Sequence, residues 1–206
     1  MTYNSIQNLK TFTLEPEIRG LIFDSDGTLV DTMPLHYLAW QDTLLIKGAQ
    51  FPETLFYELA GVPSDKIVEI LNREFAYSFD TKAVALEKEG IFLERYLPQA
   101  RAIEPVVAIA QQYKNLLPMA VATGGILAVV SSALKAIGLT DFFDAVVTAE
   151  DVKHGKPAPD TFLVAAERLK VEPHACLVFE DSDLGLEAAQ RAGMAAVDIR
   201  PWLKSL

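Results

Sequence analysis

Five short apolar runs recur along the chain, and they constrain its fold more than any other feature. The runs are Leu21–Phe23, Met119–Ala122, Ala145–Val147, Cys176–Phe179 and Ala195–Ile199. None of them alternates cleanly between apolar and polar residues, which is typical of strands buried on both faces of a parallel sheet. The runs therefore predict the strands of one parallel sheet.

Helical patterns lie between these runs. The segment Ile126–Ile137 is apolar and stops at Gly138, a residue type that commonly ends helices. Pro159–Leu169 has a proline near its start and basic residues in its last turn, and Leu184–Ala192 stops at Gly193. Strand and helix in alternation predict an α/β fold with a doubly wound parallel sheet and right-handed crossovers.

One long segment interrupts this alternation. Residues 32–98 contain no strand-like run, but they carry four helical patterns, which are Pro34–Ile46, Glu53–Ala60, Ser64–Phe75 and Val84–Leu97. We therefore expect a four-helix cap domain inserted after the first strand, with prolines at 34, 98 and 105 near its junctions. Residues 1–31 and 99–206 would form the α/β catalytic core, with residues 1–17 as a polar N-terminal extension.

Composition limits the partners and the location of the protein. The formal net charge is −10, which argues against nucleic acid because phosphate contacts need clustered Lys and Arg. No apolar run approaches the roughly 18–20 residues of a membrane span, and the polar N-terminus does not resemble a signal peptide. Cys176 is the only cysteine, so we expect a core thiol and a cytoplasmic protein. We expect a monomer or a weak dimer.

Two carboxylates follow the first apolar run. Asp24 and Asp26 precede Gly27 and Thr28, and a turn that begins at once would bring both carboxylates into one small space. Two anions so placed call for a cation, and hard oxygen ligands suit Mg²⁺. One carboxylate could then attack phosphorus while the other moves a proton.

Three further runs are also followed by polar groups, which are Thr123-Gly124-Gly125, the loop with Lys156, and Glu180-Asp181. In a doubly wound sheet these groups share the edge formed by the carboxyl ends of the strands. Taken singly, each motif has another interpretation: a calcium loop at Asp24, a helix cap at Thr123, a solvated Lys156 and an acidic helix N-terminus at Glu180. Together they predict a phosphoryl-transfer site.

These motifs resemble those of the haloacid dehalogenase superfamily, in its group with a helical cap after the first strand. The matching residues are Asp24-x-Asp26-Gly27-Thr28, Thr123, Lys156 within Val152–Asp160, and Glu180-Asp181-Ser182. The resemblance covers about Ile18 to the C-terminus and implies a Rossmann-like core. Within the group it is strongest to bacterial fructose-1-phosphate phosphatases and to β-phosphoglucomutases.

The resemblance implies a role for each acidic residue. Asp24 would be the nucleophile that forms an aspartyl-phosphate. Asp26 would protonate the leaving sugar oxygen and then take a proton from water. Mg²⁺ would be held by Asp24, the backbone oxygen of Asp26, Glu180 and Asp181.

The resemblance also implies how the transferred group is held. Thr123 and the Gly124 amide would bind the phosphoryl group, and Lys156 would pair with Asp24 and the phosphoryl oxygens. Positioning and charge stabilisation carry most of the catalysis in such reactions. The expected function is a Mg²⁺-dependent phosphatase acting on small sugar phosphates.

The cap is expected to select the sugar. His36, the loop at Gly61 and Lys88 are predicted to face the core, the alternatives being a packed histidine and a solvated lysine. β-Phosphoglucomutases have an arginine in the cap loop where this chain has Ser64, which weakens the mutase interpretation because a mutase must hold a doubly phosphorylated intermediate. A mutase is nevertheless the main alternative. A non-catalytic ligand-binding relative is the third, although it would be expected to have lost motif residues.

Overall fold

A central parallel sheet with helices on both faces forms the framework of the computed structural model, which describes residues 12–203. The strands in this part of the chain are β1 (Gly20–Phe23), β2 (Val30–Asp31), β3 (Arg101–Ala102), β4 (Met119–Ala122), β5 (Ala145–Val147), β6 (Cys176–Glu180) and β7 (Ala195–Asp198). The α-helices are α1 (Met33–Leu45), α2 (Glu53–Glu58), α3 (Ser64–Phe75), α4 (Thr81–Ile91), α5 (Glu104–Tyr113), α6 (Leu127–Ala136), α7 (Asp160–Leu169), α8 (Asp183–Arg191) and α9 (Arg200–Leu203).

The main sheet has the strand order β5–β4–β1–β6–β7, and its strands all run parallel. Strand β1 lies at the centre, where Phe23 is opposite Val121 of β4 and Phe179 of β6. The doubly wound α/β fold predicted from the apolar runs is confirmed. Strand β6 continues one residue beyond the predicted run, to Glu180, which pairs with Asp198 of β7.

Side chains of β1 alternate between two apolar clusters, one on each face of the sheet. Leu21 and Phe23 belong to the cluster that α5 and α6 cover, and Ile22 belongs to the cluster that α7 and α8 cover. All four residues of β1 are buried. Burial on both faces explains why the run shows no polar alternation.

Helix α5 has no counterpart among the predicted helices. Pro105, which we expected near a junction of the cap, lies in the first turn of this helix. Proline fits there because the first turn has no intrahelical partner for a backbone N–H. Val106, Val107 and Ile109 are buried, so the helix is an ordinary amphipathic one with a proline at its start.

The helices α1 to α4 pack around an apolar cluster of their own. Trp40 and Leu44 of α1, Phe56 of α2, and Val68 and Leu71 of α3 are all buried in it. The observed bounds of α3 match the predicted ones. Helix α4 begins at Thr81, three residues earlier than predicted, because the Asp80 carboxylate accepts a hydrogen bond from the Ala83 N–H at 2.9 Å.

Two short strands flank these helices. Val30 and Asp31 of β2 pair with Ala102 and Arg101 of β3 in an antiparallel ladder, which brings the two ends of the segment together. Strands of two residues are too short to show a periodic pattern, so they could not be predicted from the sequence. The boundaries of a separate cap domain at residues 32 and 98 stay a prediction.

The predicted N-terminal extension lies outside the described residues as far as residue 11. Phe12 is buried in the core cluster and packs on Phe179, with ring centroids 5.6 Å apart. Cys176 is also buried, and this burial raises the pKa of its thiol to about 11. A buried thiol with a raised pKa is unreactive, which agrees with the predicted core thiol. Among residues 12–203, no helix is long and apolar enough to cross a membrane.

Candidate active site

The predicted motif residues meet at the carboxyl ends of three adjacent strands. Asp24 follows β1, Thr123 follows β4 and Asp181 follows β6. These three residues line one cavity together with side chains of α1, α2, α3 and α4. The cavity thus lies where a doubly wound sheet normally binds its ligand.

Lys156 is buried between two carboxylates. Its Nζ lies 2.6 Å from Asp24 Oδ1 and 2.6 Å from Glu180 Oε2, and its side chain has no exposed surface. Burial by itself would lower the pKa of Lys156, but the two carboxylates raise the pKa above its ordinary value. Lys156 is therefore a charged residue of the site, and the interpretation as a solvated surface lysine was wrong.

Three carboxylates form a compact acidic cluster. One oxygen each of Asp24, Glu180 and Asp181 lies within 4.8 Å of the others. Burial raises the pKa of Asp24, and the nearby Glu180 carboxylate raises it further. The same two causes raise the pKa of Asp181 to about 7. Mutual repulsion of this kind is what a bound cation relieves, so the donor set fits a divalent metal.

The carboxylates of this cluster differ in how many oxygens are already engaged. Glu180 Oε2 accepts from Lys156, and Glu180 Oε1 accepts from both the N–H and the hydroxyl of Ser182, at 2.9 and 2.6 Å. Asp181 Oδ1 accepts from Thr28 Oγ1 at 2.8 Å. Asp24 Oδ2 and Asp181 Oδ2 accept no hydrogen bond from another residue in the described part of the chain, so both oxygens are available to a metal.

The turn after Asp26 brings Asp181 against the backbone. Gly27 has a φ of +85°, and a Cβ atom on it would lie 2.2 Å from Asp181 Oδ2. Only glycine provides both this conformation and this space. The glycine of the first motif therefore positions a carboxylate that follows a different strand.

Asp26 is engaged by the first helix of the inserted segment. Its Oδ1 accepts from Thr32 Oγ1 at 2.6 Å and lies 3.2 Å from His36 Nε2. Burial would raise the pKa of Asp26, but His36 and the hydrogen bonds from His36 and Thr32 lower it to about 2. The carboxylate of Asp26 is therefore ionised and oriented toward α1, and it is not part of the acidic cluster.

His36 connects Asp26 to Lys88 of α4. Lys88 Nζ lies 2.7 Å from His36 Nδ1, and only 2% of Lys88 is exposed. Because a charged lysine can only donate, Nδ1 must accept and Nε2 carries the hydrogen that points to Asp26. Both residues line the cavity, and the alternative of a solvated Lys88 was wrong because Lys88 is buried. Their role in binding the substrate stays a prediction.

The loops of the core and of the helical segment touch at two glycines. A Cβ atom on Gly124 would lie 2.2 Å from the carbonyl oxygen of Gly61. A Cβ atom on Gly61 would lie 3.3 Å from Lys156 Cδ. Thr123, which is 2% exposed, accepts from the Gly125 N–H at 3.1 Å through its hydroxyl. The predicted phosphate loop and the predicted cap loop are therefore in direct contact.

Thr32 and Glu89 were not predicted from the sequence, and Ser64 and Ser182 were noted there without a role in the site. Thr32 and Ser182 hold carboxylates of the site, and Ser64 and Glu89 line the same cavity. Glu89 looks in the sequence like one more charge on an amphipathic helix. The available signal for Thr32 was its position before α1, where a hydroxyl residue commonly caps a helix.

The fold and the site define an α/β protein with a polar centre at the carboxyl edge of its sheet. Residues 18–193 match the model of the haloacid dehalogenase-like hydrolase family. The chain belongs to this family of hydrolases, as its four motifs predicted.

Three known proteins illustrate the relationship. The fructose-1-phosphate phosphatase YqaB of Escherichia coli (strain K12) is 42% identical over 181 residues, which cover 88% of this chain and 96% of that protein. The phosphorylated carbohydrates phosphatase of Thermotoga maritima is 32% identical over 184 residues, covering 87% of this chain and 84% of that protein. The crystal structure of a β-phosphoglucomutase from Clostridium difficile has a TM-score of 0.79 at 25% identity, covering 88% of this chain and 84% of the other.

Proposed function

We propose that this protein is a Mg²⁺-dependent phosphatase that hydrolyses small sugar phosphates through an aspartyl-phosphate on Asp24. The observation that carries the proposal is the setting of Asp24, which is buried against Lys156 at 2.6 Å and beside Glu180 and Asp181. Family membership supports the hydrolase chemistry. The named activities of the Escherichia coli and Thermotoga maritima relatives support a phosphorylated carbohydrate as the substrate.

The two aspartates would divide the chemistry between them. A carboxylate oxygen of Asp24 would bond to phosphorus while the bond from phosphorus to the sugar oxygen breaks. Asp26, which must take up a proton when the substrate binds, would give that proton to the sugar oxygen. Water would then attack the phosphorus of the aspartyl-phosphate and lose a proton to Asp26, which releases inorganic phosphate and restores Asp24. The ionised Asp26 that His36 and Thr32 stabilise is the form that the second step needs.

The remaining site residues would hold the reacting groups. Lys156 would neutralise Asp24 and the phosphoryl oxygens, and Thr123 with the Gly124 amide would orient the phosphoryl group. Asp24, Asp181, Glu180 and the backbone oxygen of Asp26 would hold Mg²⁺. When bound, this ion neutralises phosphoryl oxygens so that one anion can approach another.

A β-phosphoglucomutase is the alternative that a specific observation favours, namely the likeness to the Clostridium difficile mutase. The Ser64 hydroxyl disfavours the mutase alternative. This hydroxyl donates to Glu89 Oε1 at 2.6 Å. β-Phosphoglucomutases are expected to have an arginine at this position, and an uncharged hydroxyl cannot replace the positive charge that would bind a second phosphate.

Phosphate release from p-nitrophenyl phosphate in the presence of Mg²⁺ tests the proposal. We expect Asp24→Asn to abolish release, because the amide removes the nucleophile while its size is kept. Asp31→Asn is the matched control, since Asp31 is exposed, and it should retain wild-type activity. Equal activity of wild type and Asp24→Asn would contradict the assigned nucleophile.

A second assay separates phosphatase from mutase. We expect β-glucose 1-phosphate, if it reacts at all, to release inorganic phosphate in a stoichiometric amount. The appearance of glucose 6-phosphate without stoichiometric phosphate release would establish the mutase instead. The cytoplasmic location and the monomeric or weakly dimeric state predicted from the sequence are compatible with either enzyme.

A further inference from the structure

Glu89 of α4 is a buried carboxylate with one engaged oxygen and one unengaged oxygen. Its Oε1 accepts from Lys88 Nζ at 3.0 Å and from Ser64 Oγ at 2.6 Å. Its Oε2 is buried and has no hydrogen-bond donor among the described residues. The residue as a whole is only 9% exposed. Such an oxygen is costly to bury without a donor, so its position requires an explanation.

The surroundings of Glu89 keep it ionised. Burial alone would raise the pKa of Glu89, but the charge of Lys88 and the hydrogen bonds from Ser64 and Lys88 bring it below its ordinary value. An ionised carboxylate is an acceptor only. The group that completes its hydrogen bonding must therefore be a donor, such as a hydroxyl.

The unengaged oxygen belongs to a residue of the cavity wall. Glu89, Ser64 and Lys88 line the same cavity as Asp24 and Asp26, and they lie on its cap side. A substrate whose phosphate lies at Asp24 would therefore extend its remaining part toward this group. In a sugar phosphate that part carries hydroxyls, which are hydrogen-bond donors.

The charge balance of the cap side disfavours a second phosphate. Among the described residues that line the cavity from α1 to α4, Lys88 is the only lysine or arginine, and it already donates to Glu89 and His36. Lys88 keeps one N–H for a ligand, but its charge is already balanced by Glu89, so a phosphate placed here would also meet the Glu89 carboxylate. Repulsion between like charges in a buried site weakens binding strongly.

We propose that Glu89 is a specificity residue that accepts a hydroxyl of the substrate and rejects a second phosphate. The preferred substrates are then polyhydroxylated monophosphates rather than bisphosphates. This inference rests on the proposed phosphatase function, because it assumes that the reacting phosphate lies at Asp24. It gives Ser64 a positioning role, since the Ser64 hydroxyl orients the Glu89 carboxylate.

Kinetics on three phosphate esters test the proposal. Fructose 1-phosphate and fructose 1,6-bisphosphate differ by the second phosphate, and p-nitrophenyl phosphate lacks sugar hydroxyls. We expect Glu89→Gln to raise the KM for fructose 1-phosphate about 10- to 100-fold, as expected for a lost hydrogen bond to a charged group. The kcat/KM for p-nitrophenyl phosphate should stay within about 2-fold, and the preference for the monophosphate over the bisphosphate should shrink.

Two further variants complete the design. Glu87→Gln is the matched control, because Glu87 is in the same helix, pairs with Lys47 and does not line the cavity. Ser64→Ala removes the orienting hydroxyl without removing a buried charge, and we expect it to raise the same KM by a smaller factor. If Glu89→Gln does not fold, the Ser64→Ala result decides the question.

The outcomes separate this inference from the proposed function. Equal losses on fructose 1-phosphate and p-nitrophenyl phosphate, or no loss on either, would overturn the role of Glu89 while leaving the phosphatase intact. If the wild type hydrolyses none of the three esters, the proposed function fails. Calorimetry then measures the affinity of the wild type and of Glu89→Gln for fructose 1-phosphate. Weaker binding by the variant would support the role of Glu89 as a hydroxyl acceptor, and equal affinity would overturn it.

Discussion

Lys156 shows at the level of a single residue how the site balances its charge. Its ammonium group lies 2.6 Å from two carboxylates, Asp24 and Glu180, and Asp181 is close by. Without this lysine, three acidic groups would share a buried space in which no other described residue forms an ion pair with them. The residue should therefore matter for folding as well as for its proposed role in binding phosphate.

We predict that Lys156→Met lowers the free energy of unfolding by about 3–5 kcal/mol, since removing one partner leaves buried charges uncompensated. Phosphatase activity should be lost as well. Urea denaturation measures the first effect, and Lys82→Met, at an exposed position of α4, serves as the control. A change of less than about 1 kcal/mol, the size typical of exposed ion pairs, would contradict the buried ion-pair assignment.

His36 and Lys88 mark the limit of prediction from single residues. Their helical positions were compatible with packed and solvated alternatives. What decides their role is contact with distant residues, with Asp26 ten positions from His36 and Lys88 52 positions from it. Neither separation corresponds to helical or strand periodicity, so local patterns do not indicate these contacts.

At the level of elements, the contact between two loops joins the helical segment to the sheet. A Cβ atom on Gly124 would lie only 2.2 Å from the carbonyl oxygen of Gly61. The backbone cannot yield as a flexible side chain would, so even a methyl group at Gly124 must separate the two loops. The geometry of the cavity depends on this close approach.

We predict that Gly124→Ala reduces kcat/KM by about 100-fold, because displacements near 1 Å at a reacting site have effects of this size. Its free energy of unfolding should fall by about 1–3 kcal/mol, as for other overpacked sites. Steady-state kinetics and urea denaturation measure the two effects.

The matched control is Gly90→Ala in α4, where a Cβ atom would meet no atom within 4 Å. It should keep wild-type activity and gain up to about 1 kcal/mol of stability, because alanine favours helix more than glycine does. Wild-type kinetics for Gly124→Ala would show that the loop contact is not needed.

At the level of the whole molecule, the acidic cluster joins residues at the carboxyl ends of β1 and β6. A cation bound by Asp24, Glu180 and Asp181 would link these parts of the chain in the folded state only. Binding of this kind stabilises the folded state by mass action.

We predict that Mg²⁺ at 100 times its dissociation constant raises the free energy of unfolding by about 2.7 kcal/mol. Thermal denaturation with Mg²⁺ and with a chelator measures the shift, and Asp181→Asn should reduce it. Asp183→Asn is the control, because the Asp183 side chain is 86% exposed and outside the cluster. A melting temperature that does not respond to Mg²⁺ in the wild type would rule out the proposed metal site.

The sequence by itself determined the parallel sheet and the groups at its carboxyl edge. Both follow from local patterns, because a strand buried on both faces must be continuously apolar and the residue after it lies at the edge. Tertiary structure alone decided that Lys88 and Glu89 are buried, that His36 contacts Asp26 and that Gly61 meets Gly124. Helical periodicity indicates which residues share a face, but the partner of that face is set by packing between segments far apart in the chain.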